Sequence, residues 1–134
     1  MQTESDILVI VDDEAPMRSL LRDFFVSQGY KVRTFSSARG AIRALRNLST
    51  APAAIISDVR MYPLNGIDFL RIAKRDFPGV PVFLFTGDGS PDEKAQALKL
   101  GAANYLSKPF SLTGLKELLD ASLSSKRSAT SSGP

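Results

Sequence analysis

The sequence predicts an α/β fold, (βα)5, in which a doubly wound, five-stranded parallel sheet alternates with five helices. Two observations support this prediction: short apolar runs recur along the chain, and segments with helical spacing of apolar residues lie between them. Continuous apolar runs are typical of strands that are covered on both faces. Strict alternation of strands and helices requires right-handed crossovers, which place helices on both sides of a parallel sheet.

The strands are predicted from their apolar composition. The first, ILVIVD at 7–12, is a continuous apolar run that ends in acidic residues. The other four are KVRTF at 31–35, AAIIS at 53–57, VPVFLF at 80–85 and ANYL at 103–106.

The helices are predicted from apolar residues that recur every three or four positions. The first spans 14–28 and is followed by Gly29, a residue that favours a helix end. The second spans 37–48, with Ser37 as its N-cap. The other three are predicted over 66–76, 91–100 and 111–124.

Length and composition limit the organisation and the chemistry. A chain of 134 residues fits one domain, expected over 6–123, with an N-terminal extension at 1–5 and a flexible Ser-rich tail or linker at 124–134. The absence of Cys and His excludes disulfides, thiolate catalysis, His-ligated zinc and His-based triads. Any chemistry must therefore use carboxylates, hydroxyls, amines or the backbone.

The sequence also argues against membrane and nucleic-acid functions. The polar start MQTESD and the lack of a long apolar run predict a cytoplasmic protein without a signal peptide or membrane span. The net charge is only +3 and the cations are scattered, so charge is poor evidence for a nucleic-acid partner. There is no GxxxxGK loop and no room for a helix-turn-helix, so we expect neither P-loop hydrolysis nor direct DNA binding.

Polar side chains follow four of the predicted strands. Asp12 and Asp13 follow the first strand and Asp58 the third, while Thr86 follows the fourth and Lys108 the fifth. Open α/β sheets place their sites beyond the carboxyl ends of the strands, so these side chains converge if the strand order is 2-1-3-4-5. Neighbouring carboxylates would repel by about 4 kcal/mol per close pair at an effective dielectric constant near 20. Oxygen ligands alone suit Mg²⁺, or Mn²⁺, as the ion that offsets this repulsion.

Four motifs in this order resemble the receiver domain of two-component response regulators. They are the Asp12–Asp13 pair, Asp58-Val-Arg-Met with Gly66 eight residues after the aspartate, Thr86-Gly87, and Tyr105-Leu-Ser-Lys-Pro109-Phe. The resemblance covers about residues 6–123 and implies the flavodoxin-like strand order 2-1-3-4-5.

The resemblance implies a role for each of these residues. Asp58 would be the nucleophile that becomes phosphorylated, with Thr86 and Lys108 taking phosphoryl oxygens. Asp13, Asp58 and the carbonyl of Arg60 would bind Mg²⁺ directly, and Asp12 would act largely through water. No other cofactor is implied. The domain would catalyse its own phosphorylation and slow hydrolysis, but its main role would be that of a signalling switch.

The switch implied by the resemblance runs from Thr86 to Tyr105, which would turn inward after phosphorylation. The output surface would then be helix 4, strand 5 and helix 5, and the Lys108–Pro109 bond would be cis. The implied partners are a sensor histidine kinase or phosphotransfer protein, a downstream output domain or protein, and a second copy in a phosphorylation-linked homodimer. The order Met61-Tyr62-Pro63 departs from the family pattern, in which Pro commonly follows the Met directly.

Several alternatives stay open at this point. The fold could serve as a pseudo-receiver that binds a protein without phosphate, or as an FMN-binding flavodoxin-like module, although DDEAP stands where a phosphate loop would be needed. Asp12 and Asp13 could cap helix 1, Thr86 could serve only its turn, Lys108 could be a solvated loop residue, and Tyr105 could pack without switching. A solvated helix face is the default interpretation of the stripe formed by Arg39, Arg43 and Arg46.

Overall fold

The computed structural model describes the backbone of residues 7–131 and the side chains of residues 7–124. The predicted N-terminal extension at 1–5 lies outside the described residues. Strands and helices alternate in the order β1 (Ile7–Val11), α1 (Ala15–Ser27), β2 (Lys31–Phe35), α2 (Ala38–Arg46), β3 (Ala54–Asp58), α3 (Gly66–Asp76), β4 (Val82–Thr86), α4 (Pro91–Lys99), β5 (Asn104–Ser107) and α5 (Leu112–Ser131).

The five strands form one parallel sheet in the order β2-β1-β3-β4-β5, which confirms the predicted topology. The register pairs Ile10 with Ile56 and Ser57 with Leu84, so the strands end at a common edge. From β1 the chain adds β2 on one side of the sheet and then crosses to add β3 on the other side. An open α/β sheet has a crevice at such a point of reversed strand order, here between β1 and β3.

Two hydrophobic cores lie on opposite faces of the sheet. Val9 and Val11 of β1 face a core built with α2, α3 and α4, while Leu8 and Ile10 face a core built with α1 and α5. Alternate residues of a strand point to opposite faces, so a continuous apolar run can serve both cores. Both faces of β1 are therefore covered, as the sequence predicts.

Local signals begin and end the helices. The Ser37 hydroxyl accepts a hydrogen bond from the Gly40 N–H at 3.1 Å, as expected for an N-cap. Asn65 and Asp68 form a reciprocal capping box at the start of α3. After α1, Gly29 adopts φ +95°, a conformation that side chains with a Cβ rarely adopt.

Most element boundaries shift by one or two residues from the sequence prediction, and the differences at β4 and α5 have a physical reason. Strand β4 begins at Val82 instead of 80, because Pro81 has no N–H to donate to the sheet. Helix α5 continues to Ser131, so the prediction that it ends near 124 is wrong. Lys126, Arg127 and Ala129 are good helix formers, and neither Gly nor Pro interrupts this stretch, so an established helix extends at little cost even without an apolar stripe. The proposed domain boundary at 123 stays a prediction.

None of the helices in the described part of the chain combines the length and apolar character needed to cross a bilayer.

Candidate functional site

The site lies at the carboxyl edge of the sheet, where the predicted polar residues come together. Asp12, Asp13 and Asp58 can each offer a carboxylate oxygen, and these three oxygens lie within 4.8 Å of one another. An open cleft of about 420 Å³ at this edge is lined by Asp13, Glu14, Asp58, Arg60, Gly87, Asp88 and Lys108. Four of the predicted site residues thus line one cleft, and Asp12 belongs to the same carboxylate group.

Asp12 is fully buried and only partly satisfied. Its Oδ1 accepts a hydrogen bond from the Glu14 N–H at 2.9 Å, while its Oδ2 is buried without a hydrogen-bond partner. The pKa of the Asp12 carboxyl is raised to about 6, chiefly by burial. The hydrogen bond from Glu14 acts in the opposite direction, and the neighbouring charge of Asp58 contributes to the rise. A buried carboxylate in this state requires a positive partner.

Asp58 ends the buried strand β3 and is 4% exposed. Its Oδ1 accepts a hydrogen bond from the Arg60 N–H at 3.2 Å. Burial raises the pKa of this carboxyl, although that hydrogen bond and the charge of Lys108 act in the opposite direction.

Gly66 supports the backbone beneath Asp58. A Cβ at this position would lie 2.5 Å from the Asp58 carbonyl oxygen and 2.7 Å from the Val59 Cα. The Gly66 N–H donates to the Val59 carbonyl at 2.8 Å. Only glycine permits this approach, which gives the spacing of eight residues between Asp58 and Gly66 a physical reason.

The acidic residues fit a divalent cation. The donor set is all oxygen, it includes a buried oxygen without a partner, and the pKa values of two of its carboxyls are raised by burial. Mg²⁺ and Mn²⁺ prefer such ligands and retain waters that can be exchanged for phosphate.

Thr86 and Lys108 flank the carboxylates on the β4 and β5 side. The buried Thr86 hydroxyl donates to Asp88 Oδ1 at 3.1 Å and accepts from the Asp88 N–H at 3.4 Å, so it serves its own turn in this structure. Lys108 is half-buried, and its Nζ lies 5.2 Å from the centre of the Phe85 ring. The Lys108–Pro109 peptide bond is cis, and so is Tyr62–Pro63.

A network that the sequence analysis missed joins the cleft to helix α4. The Arg60 guanidinium donates to Asp88 Oδ1 at 2.7 Å and to Glu93 Oε2 at 2.7 Å. The Tyr105 hydroxyl donates to Glu93 Oε1, and the Tyr105 ring is already turned inward with 3% of its surface exposed. Sequence gives little warning of this network, because Arg60 and Glu93 are separated by 33 residues.

The hydrogen bonds of this network shift the pKa values of its members. Burial raises the pKa of the Glu93 carboxyl, but hydrogen bonds from Arg60 and Tyr105 outweigh it and leave this pKa below its ordinary value. Burial and the bond to Glu93 raise the pKa of the Tyr105 phenol to about 12. The Arg60 guanidinium is held more firmly in its charged form, since its pKa is raised by hydrogen bonds to Glu93 and Asp88.

The structure also bears on the other roles considered for the acidic pair and for the arginine stripe. The N-cap of α1 is Glu14, which makes no side-chain capping bond, and the Asp12 carboxylate accepts only the Glu14 N–H that precedes the helix. Met61 is buried in the core beside the cleft. In the arginine stripe, Arg46 pairs with Asp76 at 3.2 Å, and all three arginines are exposed.

Comparison with known proteins identifies the family and the fold of this chain. The family model of the response regulator receiver domain matches residues 8–120. The transcriptional regulatory protein FixJ of Bradyrhizobium diazoefficiens is 36% identical over 92% of this chain, which spans 58% of the length of FixJ.

Two solved structures resemble the chain closely in their backbone. The Clostridium thermocellum receiver domain has a TM-score of 0.85 and 28% identity, covering 90% of this chain and 96% of the other. The beryllofluoride-activated NtrC4 receiver domain dimer has a TM-score of 0.83 and 29% identity, covering 90% and 98%. Together with the matched residues 8–120 and the acidic edge of the sheet, these similarities show that the chain belongs to the family of two-component response regulator receiver domains.

Proposed function

We propose that this receiver domain accepts a phosphoryl group on Asp58 in an Mg²⁺-dependent reaction and passes the change to a protein-binding surface. The observation that carries the proposal is the group of three carboxylates with a buried, unpartnered Asp12 oxygen, set beside the half-buried Lys108. Such a cleft suits a dication and a phosphoryl group together, because each offsets the charge that the other introduces.

Asp58 is the proposed nucleophile. One of its carboxylate oxygens attacks the phosphorus of a phosphohistidine in a kinase or phosphotransfer protein, or of a small phosphodonor. The new O–P bond forms as the bond from phosphorus to the donor breaks, and the donor group leaves with the bonding electrons. The Arg60 N–H, which donates to Asp58 Oδ1 at 3.2 Å, helps to orient the carboxylate during this step.

The metal ligands of this proposal are Asp12, Asp13, Asp58 and the Arg60 carbonyl. Bound Mg²⁺ would supply positive charge that reduces the repulsion between these carboxylates and the incoming phosphoryl oxygens. The chain itself contributes the positions of two of these carboxylates, since Asp12 and Asp58 are buried at the carboxyl ends of two central strands.

Lys108 and Thr86 are proposed to hold the transferred group. Lys108 is free to donate to a phosphoryl oxygen, since no hydrogen bond of its ammonium is found among the described residues. Thr86 must first leave Asp88, its present partner at 3.1 Å. The N–H groups of Val59 and Gly87 are further candidate donors. Contacts that form only with the phosphoryl group present shift the domain between two conformations.

The proposed output surface comprises α4, β5 and α5, and it would act on an output domain or a separate protein. FixJ is a transcriptional regulator more extensive than this chain, which supports an output domain in the full protein. The dimeric, activated NtrC4 receiver supports a homodimer linked to phosphorylation. The cytoplasmic location stays a prediction, as does slow hydrolysis of the aspartyl phosphate.

The experiment is intact-protein mass spectrometry after incubation with acetyl phosphate, in Mg²⁺ and in EDTA. We expect one phosphoryl adduct that needs Mg²⁺, is removed by hydroxylamine, and is absent from Asp58→Asn. Asp23→Asn serves as a matched control, because Asp23 is an exposed carboxylate on α1 outside the cleft. An unmodified wild type, under conditions that modify a known receiver, would overturn the proposal in favour of a phosphate-independent interaction module.

A further inference from the structure

Arg60 connects the loop after β3 to two other segments of the chain. Its Nε donates to Asp88 in the β4–α4 loop at 2.7 Å. Its two terminal nitrogens donate to the two oxygens of Glu93 on α4, at 2.7 Å and 3.0 Å. A forked, bidentate pair of this kind is stronger and more directional than a single ionic contact.

Glu93 also holds Tyr105. The phenol hydroxyl donates to Glu93 Oε1, the same oxygen that accepts from Arg60, so one carboxylate stands between the guanidinium and the phenol. The Glu93 side chain is 19% exposed and the Tyr105 residue 3% exposed, so these bonds are partly shielded from water.

A glycine leaves the space that the Tyr105 ring occupies. A Cβ on Gly89 would lie 2.9 Å from Tyr105 Cζ and 2.7 Å from Thr86 Cγ2, and it would collide with the phenol oxygen. The inward position of the Tyr105 ring therefore depends both on the space that Gly89 leaves and on the hydrogen bond to Glu93.

We propose that Arg60 is a positioning residue that fastens Tyr105 inward, through Glu93, before any phosphoryl group arrives. The loop that follows the phosphoacceptor strand thereby reaches the α4–β5 surface through Glu93, while its bond to Asp88 Oδ1 shares that oxygen with the Thr86 hydroxyl. Inward rotation of Tyr105 is then complete in the unmodified domain. The signalling consequence rests on the proposed function, whereas the fastening of the ring does not.

The test uses the fluorescence of Tyr105. The chain has three tyrosines and no tryptophan, so Tyr30→Phe and Tyr62→Phe together leave Tyr105 as the sole emitter. Quenching by acrylamide, a neutral quencher, then measures how often the ring is exposed. In Arg60→Met, which retains the length of the side chain but not its charge or donors, we expect the outward population to rise about fivefold. Circular dichroism checks that each variant is folded.

Two controls bracket the effect. Arg75→Met removes another exposed arginine that is ion-paired, here to its neighbour Asp76, and should leave quenching unchanged. Gly89→Ala places a Cβ in the space that the Tyr105 ring occupies, so it should give the quenching expected for an exposed ring. If Gly89→Ala raises quenching and Arg60→Met does not, the proposal is wrong. If Glu93→Ala raises quenching at least as much as Arg60→Met does, and Arg60→Met adds nothing more in the Glu93→Ala background, Arg60 acts through Glu93 as proposed.

A second measurement repeats the quenching with Mg²⁺ and beryllofluoride, a mimic of the phosphoryl group. We expect little change in the parent protein, whose ring is already inward, and a return toward the parent value in Arg60→Met. A fall in the parent as large as the rise caused by Arg60→Met would overturn the proposal. Absence of beryllofluoride binding would count against the proposed function, while the comparison without beryllofluoride would still decide the role of Arg60.

Discussion

Replacing Asp12 with Asn should stabilise the metal-free domain. Asp12 is fully buried, its Oδ2 has no hydrogen-bond partner, and its pKa is raised from 3.8 to about 6. At pH 7 the Asp12 carboxylate is therefore ionised in both states, but its negative charge costs more free energy in the folded state than in the unfolded state. The difference of about two pKa units corresponds to ~3 kcal/mol, since each unit is worth about 1.4 kcal/mol. Asn retains an oxygen that can accept from the Glu14 N–H, so the local turn is kept.

The pH dependence follows from the direction of this shift. The unfolded carboxyl ionises near pH 4 and the folded one near pH 6, so the destabilisation is absent below 4, grows between the two values and is complete above 6. Urea unfolding in EDTA at pH 7 should show Asp12→Asn more stable than the wild type by up to ~3 kcal/mol. At pH 4 the two proteins should be nearly equal. Mg²⁺ should stabilise the wild type and have less effect on the variant.

Asp13→Asn is the matched control, because Asp13 belongs to the same cluster but is exposed. Its gain in EDTA should be smaller, since water screens its charge. The reasoning is refuted if Asp12→Asn is less stable than the wild type in EDTA at pH 7, or if its gain does not diminish toward pH 4.

Three further outcomes follow from other contacts. Gly66→Ala should lower the free energy of unfolding by about 1–3 kcal/mol and slow phosphorylation, because its Cβ meets backbone atoms of Asp58 and Val59; urea unfolding and the mass assay measure the two effects. Spectrophotometric titration should reveal a tyrosinate that forms near pH 12 and is absent from Tyr105→Phe. Because the pKa of this phenol is higher in the folded state than in the unfolded state, the stability that Tyr105 contributes is lost as the pH rises above about 10. Leu119→Ala, at a fully buried position on α5, should cost about 2–5 kcal/mol by thermal or urea unfolding, whereas Leu98→Ala at an exposed position should cost far less.

The parts of the fold that the sequence predicts are those in which local pattern and packing agree. ILVIV serves two cores, so its continuous apolar run is a direct signature of a central strand. Helix α5 beyond 124 lacks that agreement: it has helical propensity but no apolar stripe, and pattern alone predicts its end too early.

The same distinction explains what could be predicted of the site. Asp58 ends a strand, and Asp12 and Lys108 stand directly after strands, so the parallel topology alone brings them to one edge. The bond between Arg60 and Glu93 joins residues that are far apart in the chain, and it depends on side-chain directions that no periodicity encodes. The cis bond at Tyr62–Pro63 is likewise a property of the folded loop, visible in the sequence only as a displaced proline.

Arg60 and Lys108, two cations that line the cleft, differ in their hydrogen-bond partners. Arg60 lines the cleft, yet its guanidinium is already engaged by Asp88 and Glu93, so an incoming anion would have to break those bonds to recruit it. Lys108 makes no comparable bond among the described residues, and it brings a single positive charge to the cleft that holds the group of three carboxylates. The negative charge that remains there suits a dication, and once the dication is bound, Lys108 is the cation left to meet a phosphoryl oxygen. Under the proposed function, Lys108 would therefore act on the phosphoryl group, while Arg60 holds Tyr105 through Glu93.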